Sequence, residues 1–276
     1  MTPERHKILF PVDFSARSVL AAPYVKTWVD RLDAALDTLH VVDRDAVPSE
    51  QEDELPDLIE KRMADLKHFS DRHFGENVAS CTVVAGGIAD QIEHFAKREE
   101  IDVIMMPRDH QTLATRFFQD SLTAALLERC TASVWTTEHL DEVPAMPRNI
   151  LCAVHFEQDA SLDAQNDRML QTVRELASRF EASVAFLYVE RESRDSGEAD
   201  TDLEPWKMRA QEFFGSSVKL LRKSGDVITA ISDTAKELGA DLIVVGRTRP
   251  ETIGLGRQVH LLRIDHATHR PVLSIW

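Results

Sequence analysis

The sequence predicts an α/β protein built from two tandem domains, each a doubly wound parallel sheet of five strands. Three observations lead to this prediction. The chain has 276 residues, and at about 150 residues per domain that length corresponds to two domains. The two halves of the chain repeat one another. Within each half, short apolar runs alternate with helical patterns, which is typical of βαβ units and a parallel sheet.

The internal repeat keeps a nearly constant spacing along both halves. Residues 6–13, His-Lys-Ile-Leu-Phe-Pro-Val-Asp, recur at 148–155 as Arg-Asn-Ile-Leu-Cys-Ala-Val-His. A second strand-like segment, Asp-Val-Ile-Met-Met, recurs 139 residues later as Asp-Leu-Ile-Val-Val. Chance similarity between apolar strands does not preserve such a register. We therefore place domain 1 at residues 1–140 and domain 2 at residues 146–276.

The predicted elements follow the same order in both copies. The strands are expected near residues 7–12, 36–42, 78–84, 102–106 and 133–137, and again near 149–154, 183–189, 217–221, 241–245 and 271–275. The helix after each first strand carries one apolar stripe, and Pro23 is expected to kink or shift its first turns in domain 1. Helical patterns also begin at Ile88 and at Val227. The acidic stretches 43–55 and 190–203 are expected to be solvated excursions.

The charge and the apolar runs exclude several classes of protein. The chain has 32 Lys and Arg against 47 Asp and Glu, a formal net charge of −15, which argues against binding to nucleic acid or to anionic membranes. No apolar run approaches the length of a membrane span, and the first one is too short for a signal-peptide core. The three cysteines form no metal-spaced pair, so we expect a reducing, cytoplasmic location.

Four segments resemble the universal stress protein family. They are the first strand ending Pro-Val-Asp-Phe-Ser, the second ending Leu-His-Val-Val, the Asp-Val-Ile-Met-Met strand, and the closing Ser-Val-Trp strand. The resemblance covers nearly the whole chain, twice. It implies a fold of the adenine-nucleotide α-hydrolase-like group in each domain, with the last strands pairing across a two-fold axis. Many such proteins act in the stress response without known catalysis, and one branch binds ATP.

The ATP-binding branch carries the pattern G-x2-G-x9-G-[ST] after the fourth strand, together with an Asp at the end of the first strand. Its glycines let backbone N–H groups approach phosphate oxygens. In domain 1 the pattern falls on Pro107, His110, Asp120 and Ser121, so only the hydroxyl survives, while Asp13 matches the Asp. The resemblance therefore implies a site at Asp13 and Ser121 that Pro107 and Asp120 disable for a triphosphate.

Domain 2 keeps a different fragment of the same pattern. Gly246 stands at the first glycine position, Arg249 at the second, and His155 replaces the Asp. Five arginines against two acidic residues give residues 247–270 a charge of +3, which favours an anion near the start of the last helix. The candidates for holding that anion are Gly246, Gly254, Gly256 and Arg257.

Each candidate also has a structural interpretation. Asp13 fits a helix cap as well as a ligand contact, Gly246 fits a tight turn, and the arginines of domain 2 fit a solvated face. The histidines near the last helix, His260, His266 and His269, lack a carboxylate or cysteine at ligand spacing, so no metal site is predicted.

Three functions remain open at this point. The first is a non-catalytic cytoplasmic stress-response protein with degenerate nucleotide-binding motifs, which acts through partners or a small ligand and has no required cofactor. The second is a nucleotide- or anion-binding sensor that uses domain 2, for which ATP or another anion is the ligand. The third is a nucleotide-using enzyme of the same fold group, which rests on fold analogy alone.

The closing strands predict how the two domains associate. Residues 133–137 and 271–275 are apolar edges that contain or adjoin Trp135 and Trp276, and such edges are normally paired or covered. We expect domain 1 and domain 2 to form an internal pseudo-dimer, and a homodimer of the whole chain is a further possible assembly. Residues 1–140 alone should then dimerise or aggregate in sedimentation experiments. A monodisperse monomer at high concentration would contradict this expectation.

Domain 2 predicts a response to anions. Inorganic phosphate should raise the melting temperature of the full chain, because a bound anion stabilises the folded state. Arg249→Ala combined with Arg257→Ala should remove that increment in thermal-shift measurements. Melting that is indifferent to phosphate, sulfate and nucleotides alike would show that domain 2 has no such site.

Overall fold

The computed structural model describes residues 5–44, 53–108, 122–142, 144–154, 160–190, 203–215, 218–247 and 256–276, without the side chains of 160–165 and 256–260. The chain divides into two compact units, Met1–Leu140 and Asp141–Trp276. We call them domain 1 and domain 2, and each is described by itself. None of the described helices is both long and apolar enough to cross a membrane.

Domain 1 is a parallel five-stranded sheet with helices between its strands. The strands lie in the order β3-β2-β1-β4-β5. The elements, in chain order, are β1 (Lys7–Pro11), α1 (Ala16–Leu32), β2 (Ala35–Asp43), α2 (Leu55–His73), a 3-10 turn (Gly75–Asn77), β3 (Val78–Gly86), α3 (Ile88–Arg98), β4 (Val103–Met105), α4 (described over 122–129) and β5 (Ser133–Thr136).

Domain 2 repeats this arrangement with the order β8-β7-β6-β9-β10. Its elements are β6 (Asn149–Val154), α5 (Ala160–Phe180), β7 (Ser183–Glu190), α6 (Glu204–Phe214), β8 (Lys219–Ser224), α7 (Val227–Leu238), β9 (Leu242–Gly246), α8 (Gly256–Thr268) and β10 (Val272–Ile275). The predicted fold class, a doubly wound parallel sheet in each of two copies, is confirmed.

The strand order fixes where the helices lie. Parallel strands are joined by right-handed crossovers, so the two helices that lead outward from the first strand of a domain share one face of the sheet. The two that lead back past it share the other face. The helix contacts agree, since α1 packs on α2, α5 on α6 and α7 on α8. The winding therefore reverses beside β1 in domain 1 and beside β6 in domain 2.

The predicted apolar stripes form the buried faces of the helices. In α1 the buried positions include Ala21, Val25 and Trp28, and in α5 they include Val173 and Phe180. The strands between them are buried on both faces, as β9 is over Leu242 to Val245. This is the pattern of central strands covered by helices on both sides.

Two helices differ from expectation, and a third contains the expected proline. Helix α1 is continuous from Ala16 to Leu32 with Pro23 inside it, and the kink expected at Pro23 stays a prediction. Helices α2 and α6 were not predicted, and α2 begins at the end of an expected acidic excursion. Both start with proline in the first turn, where its missing N–H costs nothing. Of the excursions themselves, residues 45–52 and 191–202 lie outside the described part.

Candidate functional site

A cavity of 110 Å³ lies at the carboxyl ends of β1, β2 and β4 in domain 1. This is the place where the winding reverses, and open α/β sheets bind ligands there. The wall is mostly apolar. Its residues are Pro11, Val12, Asp13, Ser15, Arg17, Ser18, Leu39, His40, Val41, Ile88, Ile92, Met106, Pro107, Leu122 and Thr123.

Asp13, which the sequence places at the end of the first strand, caps helix α1. Its Oδ1 accepts the backbone N–H of Ser15 at 2.9 Å and the hydroxyl of Ser18 at 2.5 Å. Ser15 is the N-cap residue, and its hydroxyl accepts the backbone N–H of Ser18 at 3.3 Å. One oxygen of Asp13 therefore takes part in the helix cap. The residue is also exposed and lines the cavity, so the structure is compatible with a ligand contact as well.

His40 sits across the crevice from this cap, near the end of β2. Its Nδ1 lies 2.7 Å from the carbonyl oxygen of Val12, so Nδ1 donates and leaves Nε2 of the neutral ring as an acceptor. Burial lowers the pKa of His40 below its usual value, and the charge of Arg62 lowers it further against the hydrogen bond to Val12. The ring is therefore neutral at pH 7.

Phe14 connects the two groups through an unusual backbone conformation. Its φ of 61° lies in the left-handed region, which is strained for a residue with a side chain. The ring of Phe14 lies 4.6 Å from that of His40, and the guanidinium of Arg62 lies 5.6 Å from the Phe14 centroid. These contacts hold the loop in the conformation that aims the α1 cap at the crevice.

Arg17 is the cation of this site. It is the second residue of α1, 7% exposed, and its Nε–H donates to the carbonyl oxygen of Arg108 at 2.7 Å. Its Nη2 is buried without a hydrogen-bond partner among the described residues, and Arg17 makes no ion pair with a described carboxylate. The hydroxyl of Thr123 also lines the cavity, and it too has no hydrogen-bond partner among the described residues.

Arg108 pairs with a carboxylate that is as deeply buried as itself. Its Nη1 lies 3.0 Å from Oε1 of Glu138, and both side chains are 2% exposed. The backbone N–H of Arg108 donates to Thr137 at 2.9 Å, which extends the β4–β5 ladder beyond the strands. The ion pair thereby fixes the carbonyl of Arg108, which in turn holds Arg17.

Domain 2 has the equivalent arginine with a different partner. Arg247 is buried, its N–H donates to the carbonyl oxygen of Ile275 at 2.6 Å, and its guanidinium lies 5.3 Å from the centroid of Trp276. Arg108 and Arg247 occupy matching positions of the repeat, and so do Glu138 and Trp276. The ring of Trp276 thus faces Arg247 at the position that matches Glu138 in domain 1.

The remaining predicted residues divide between the described and undescribed parts of the chain. Pro107, at the first glycine position of the motif, is in the cavity wall. Gly246 ends β9, is exposed, and does not have a positive φ. Gly256 begins α8. Ser121 and Gly254 lie outside the described residues, as does the side chain of Arg257.

The universal stress protein family profile matches residues 4–137 and again residues 146–260. The chain belongs to the universal stress protein family. The two matches confirm the resemblance in both copies and show a tandem protein of this fold. No protein of curated function matches the chain significantly.

Solved structures share the fold at low sequence identity. A universal stress protein of Archaeoglobus fulgidus DSM 4304 has a TM-score of 0.75 at 16% identity, covering 98% of this chain and 95% of that one. A functionally unknown protein of Pseudomonas aeruginosa PAO1 has a TM-score of 0.64 at 16% identity, with 98% and 92% covered. The cytoplasmic domain of a prokaryotic cation chloride cotransporter has a TM-score of 0.52 at 12% identity, with 98% and 95% covered. These likenesses show the fold alone.

Sequence reasoning found Asp13 and missed Arg17, His40 and Thr123. A signal for Arg17 was available: an arginine in the first turn of a helix meets the positive end of the helix dipole, which is unfavourable for a cation. Such a residue needs a compensating contact, and here the contact comes from Arg108, 91 positions away.

The buried ion pair predicts a large loss of stability when one partner is removed. Glu138→Gln leaves the Arg108 charge buried without its carboxylate, which costs about 3–5 kcal/mol of unfolding free energy. Urea unfolding followed by tryptophan fluorescence measures this loss, since Trp28 and Trp135 are buried in domain 1.

The matched control is an exposed ion pair in the same domain. Asp90 pairs with Arg129 at 2.6 Å, with side chains 70% and 48% exposed, so Asp90→Asn should cost no more than about 1 kcal/mol. Equal losses from Glu138→Gln and Asp90→Asn would show that burial does not distinguish the two pairs.

Proposed function

We propose that this universal stress protein is a non-catalytic stress-response protein whose nucleotide-binding motifs are degenerate, and that it acts through partners or a small ligand. The family and the fold support the stress-response role. The observation that carries the rest is the composition of the crevice in domain 1. A cavity remains at the ligand-binding position of the fold, but the groups around it do not fit a nucleoside triphosphate.

Two features of the wall argue against a triphosphate. Pro107 has no N–H to offer a phosphate oxygen, and its ring occupies the position where a glycine lets the backbone approach. The cavity of 110 Å³ is also well below the ~300–1,000 Å³ that is usual for cofactor and drug-sized ligands. A smaller ligand fits this wall better.

The polar groups at the crevice support a binding role over a catalytic one. The hydroxyls of Ser15 and Ser18 serve the α1 cap with Asp13, and the Nδ1 of His40 bonds to a backbone carbonyl. Covalent catalysis by a serine or threonine needs that hydroxyl in contact with a general base. Among the described wall residues, His40 forms no hydrogen bond to a serine or threonine hydroxyl.

The cellular setting and assembly belong to the same proposal. Cys81, Cys130 and Cys152 form no disulfide bond, which supports a reducing cytoplasm. Burial raises the pKa of the Cys152 thiol, so that residue is inert packing rather than a redox group. Two family domains in one chain support an internal pseudo-dimer, and a homodimer of the whole chain remains part of the proposal.

Calorimetry with Mg-ATP tests the proposed loss of nucleotide binding. The full chain should show no site that Asp13→Ala abolishes, because the glycine amides that hold phosphates are missing. A micromolar site lost in Asp13→Ala, or steady formation of product from ATP, would contradict the proposal. The converse variant, Pro107→Gly with His110→Gly and Asp120→Gly, restores the motif and should gain affinity for Mg-ATP.

A further inference from the structure

The wall of the domain 1 crevice contains a buried cation that no described carboxylate neutralises. Arg17 is 7% exposed, and its Nη2 has no hydrogen-bond partner among the described residues. The nearby carboxylate of Glu138 pairs with Arg108 instead. A buried charge without a counterion is unstable unless something of opposite charge approaches it.

The position of Arg17 in its helix further favours an anion at this site. It lies in the first turn of α1, where the backbone N–H groups already place positive charge and where the helix has no acidic residue in that turn. A second unsatisfied group is nearby in the wall, since the hydroxyl of Thr123 is fully buried and has no partner among the described residues. Natural proteins leave few buried polar atoms in this state without a reason.

We propose that the crevice binds a small monocarboxylate with an apolar body, held by the guanidinium of Arg17 and the hydroxyl of Thr123. The inference rests on the proposed function, because it names the small ligand of that site. A guanidinium presents parallel N–H groups that match the two oxygens of a carboxylate. With Nε occupied by the carbonyl of Arg108, the two terminal nitrogens are the ones that receive the ligand.

The size and lining of the cavity set the body of the ligand. The cavity of 110 Å³ is somewhat smaller than the ~150 Å³ cavity that accommodates benzene in an engineered protein. The side chains of Leu39, Val41, Ile88, Ile92 and Met106 line it. A branched aliphatic chain of a few carbons fits this space, and burying it supplies the hydrophobic part of the affinity.

The groups at the mouth of the cavity determine the charge that the ligand can carry and the second polar contact that it can form. Asp13 is exposed there and carries a negative charge, so a second negative charge on the ligand is repelled. Asp13 and the Nε2 of neutral His40 are both hydrogen-bond acceptors. The site therefore prefers a monoanion that also carries a donor, such as a hydroxyl next to the carboxylate.

The test compares four probes on the full chain by calorimetry and thermal shift. They are isovalerate, α-hydroxyisovalerate, the neutral isostere isovaleramide, and inorganic phosphate. α-Hydroxyisovalerate should bind most tightly, isovalerate less tightly, and isovaleramide at least tenfold more weakly than isovalerate, because it has no charge for Arg17. Amide binding equal to that of the carboxylates would overturn the inference, and so would phosphate binding tighter than both carboxylates in a manner that requires Arg17.

Three variants assign the binding to the named groups. Arg17→Met keeps the length of the side chain and removes the charge, so carboxylate affinity should fall at least tenfold while the unliganded melting temperature is not lowered. Arg17→Lys keeps the charge without the fork and should bind at an intermediate level. Thr123→Val should weaken carboxylate binding severalfold. Arg129→Met, an exposed arginine of α4, is the control and should bind like the parent chain.

The outcomes separate this inference from the function on which it rests. Unchanged carboxylate affinity in both Arg17 variants would overturn the inference, and so would the absence of any carboxylate binding by the parent chain. If Mg-ATP also fails to bind, the proposed function stands without this ligand. If Mg-ATP binds in an Asp13-dependent way and displaces the carboxylates, the proposed function fails while the Arg17 contact survives.

Discussion

The reversal of winding beside β1 is the constraint on which the functional part of domain 1 depends. Helix α1 follows β1 and helix α4 follows β4, and the two lie on opposite faces of the sheet, so a crevice forms between the carboxyl ends of β1 and β4. A crevice at that point follows from the strand order, whatever side chains line it. The sequence determines only what the crevice offers, and in this chain it offers an apolar wall with one buried cation.

The electrostatics of that wall come from three layers. The outermost is Asp13, whose carboxylate also accepts hydrogen bonds at the start of α1. The middle layer is Arg17, and the innermost is the ion pair of Arg108 with Glu138. Because Arg108 and Glu138 neutralise each other, their pair does not neutralise the charge of Arg17. The arrangement leaves a buried cation in the wall of a protein that is strongly acidic as a whole.

The strands were predicted well because two copies of one pattern constrain each other. The largest shift concerns β8, which begins at Lys219 rather than near residue 217. Its charged residues, with only half of its positions partly buried, give a weak pattern. Helices α2 and α6 were missed for a similar reason, since each buries a narrow strip, Leu66 and Phe69 in one and Trp206 and Ala210 in the other.

Of the residues around the crevice in domain 1, the sequence named Asp13 but not Arg17, His40 or Thr123. Asp13 follows a strand directly, so sequence order places it at the sheet edge. The Arg17 side chain bonds to Arg108 from a distant part of the chain. Its place in the first turn indicates that it needs a contact, but no local pattern shows which residue supplies it. The repeat contained a clue in the pair Arg108 and Arg247, but matching positions show that a residue recurs and do not show what it touches.

Arg108 and Arg247 contact different residues, and this difference affects whether the two domains can exchange strands during folding. Neighbouring domains of one fold risk misassembly, in which a strand of one copy enters the sheet of the other while the chain folds. If β10 took the place of β5, Trp276 would stand where Glu138 normally meets Arg108, and a guanidinium would be buried without its carboxylate. The ion pair of Glu138 with Arg108 therefore favours β5 over β10 as the last strand of the domain 1 sheet. The difference between Glu138 and Trp276 therefore disfavours an exchange of the two closing strands.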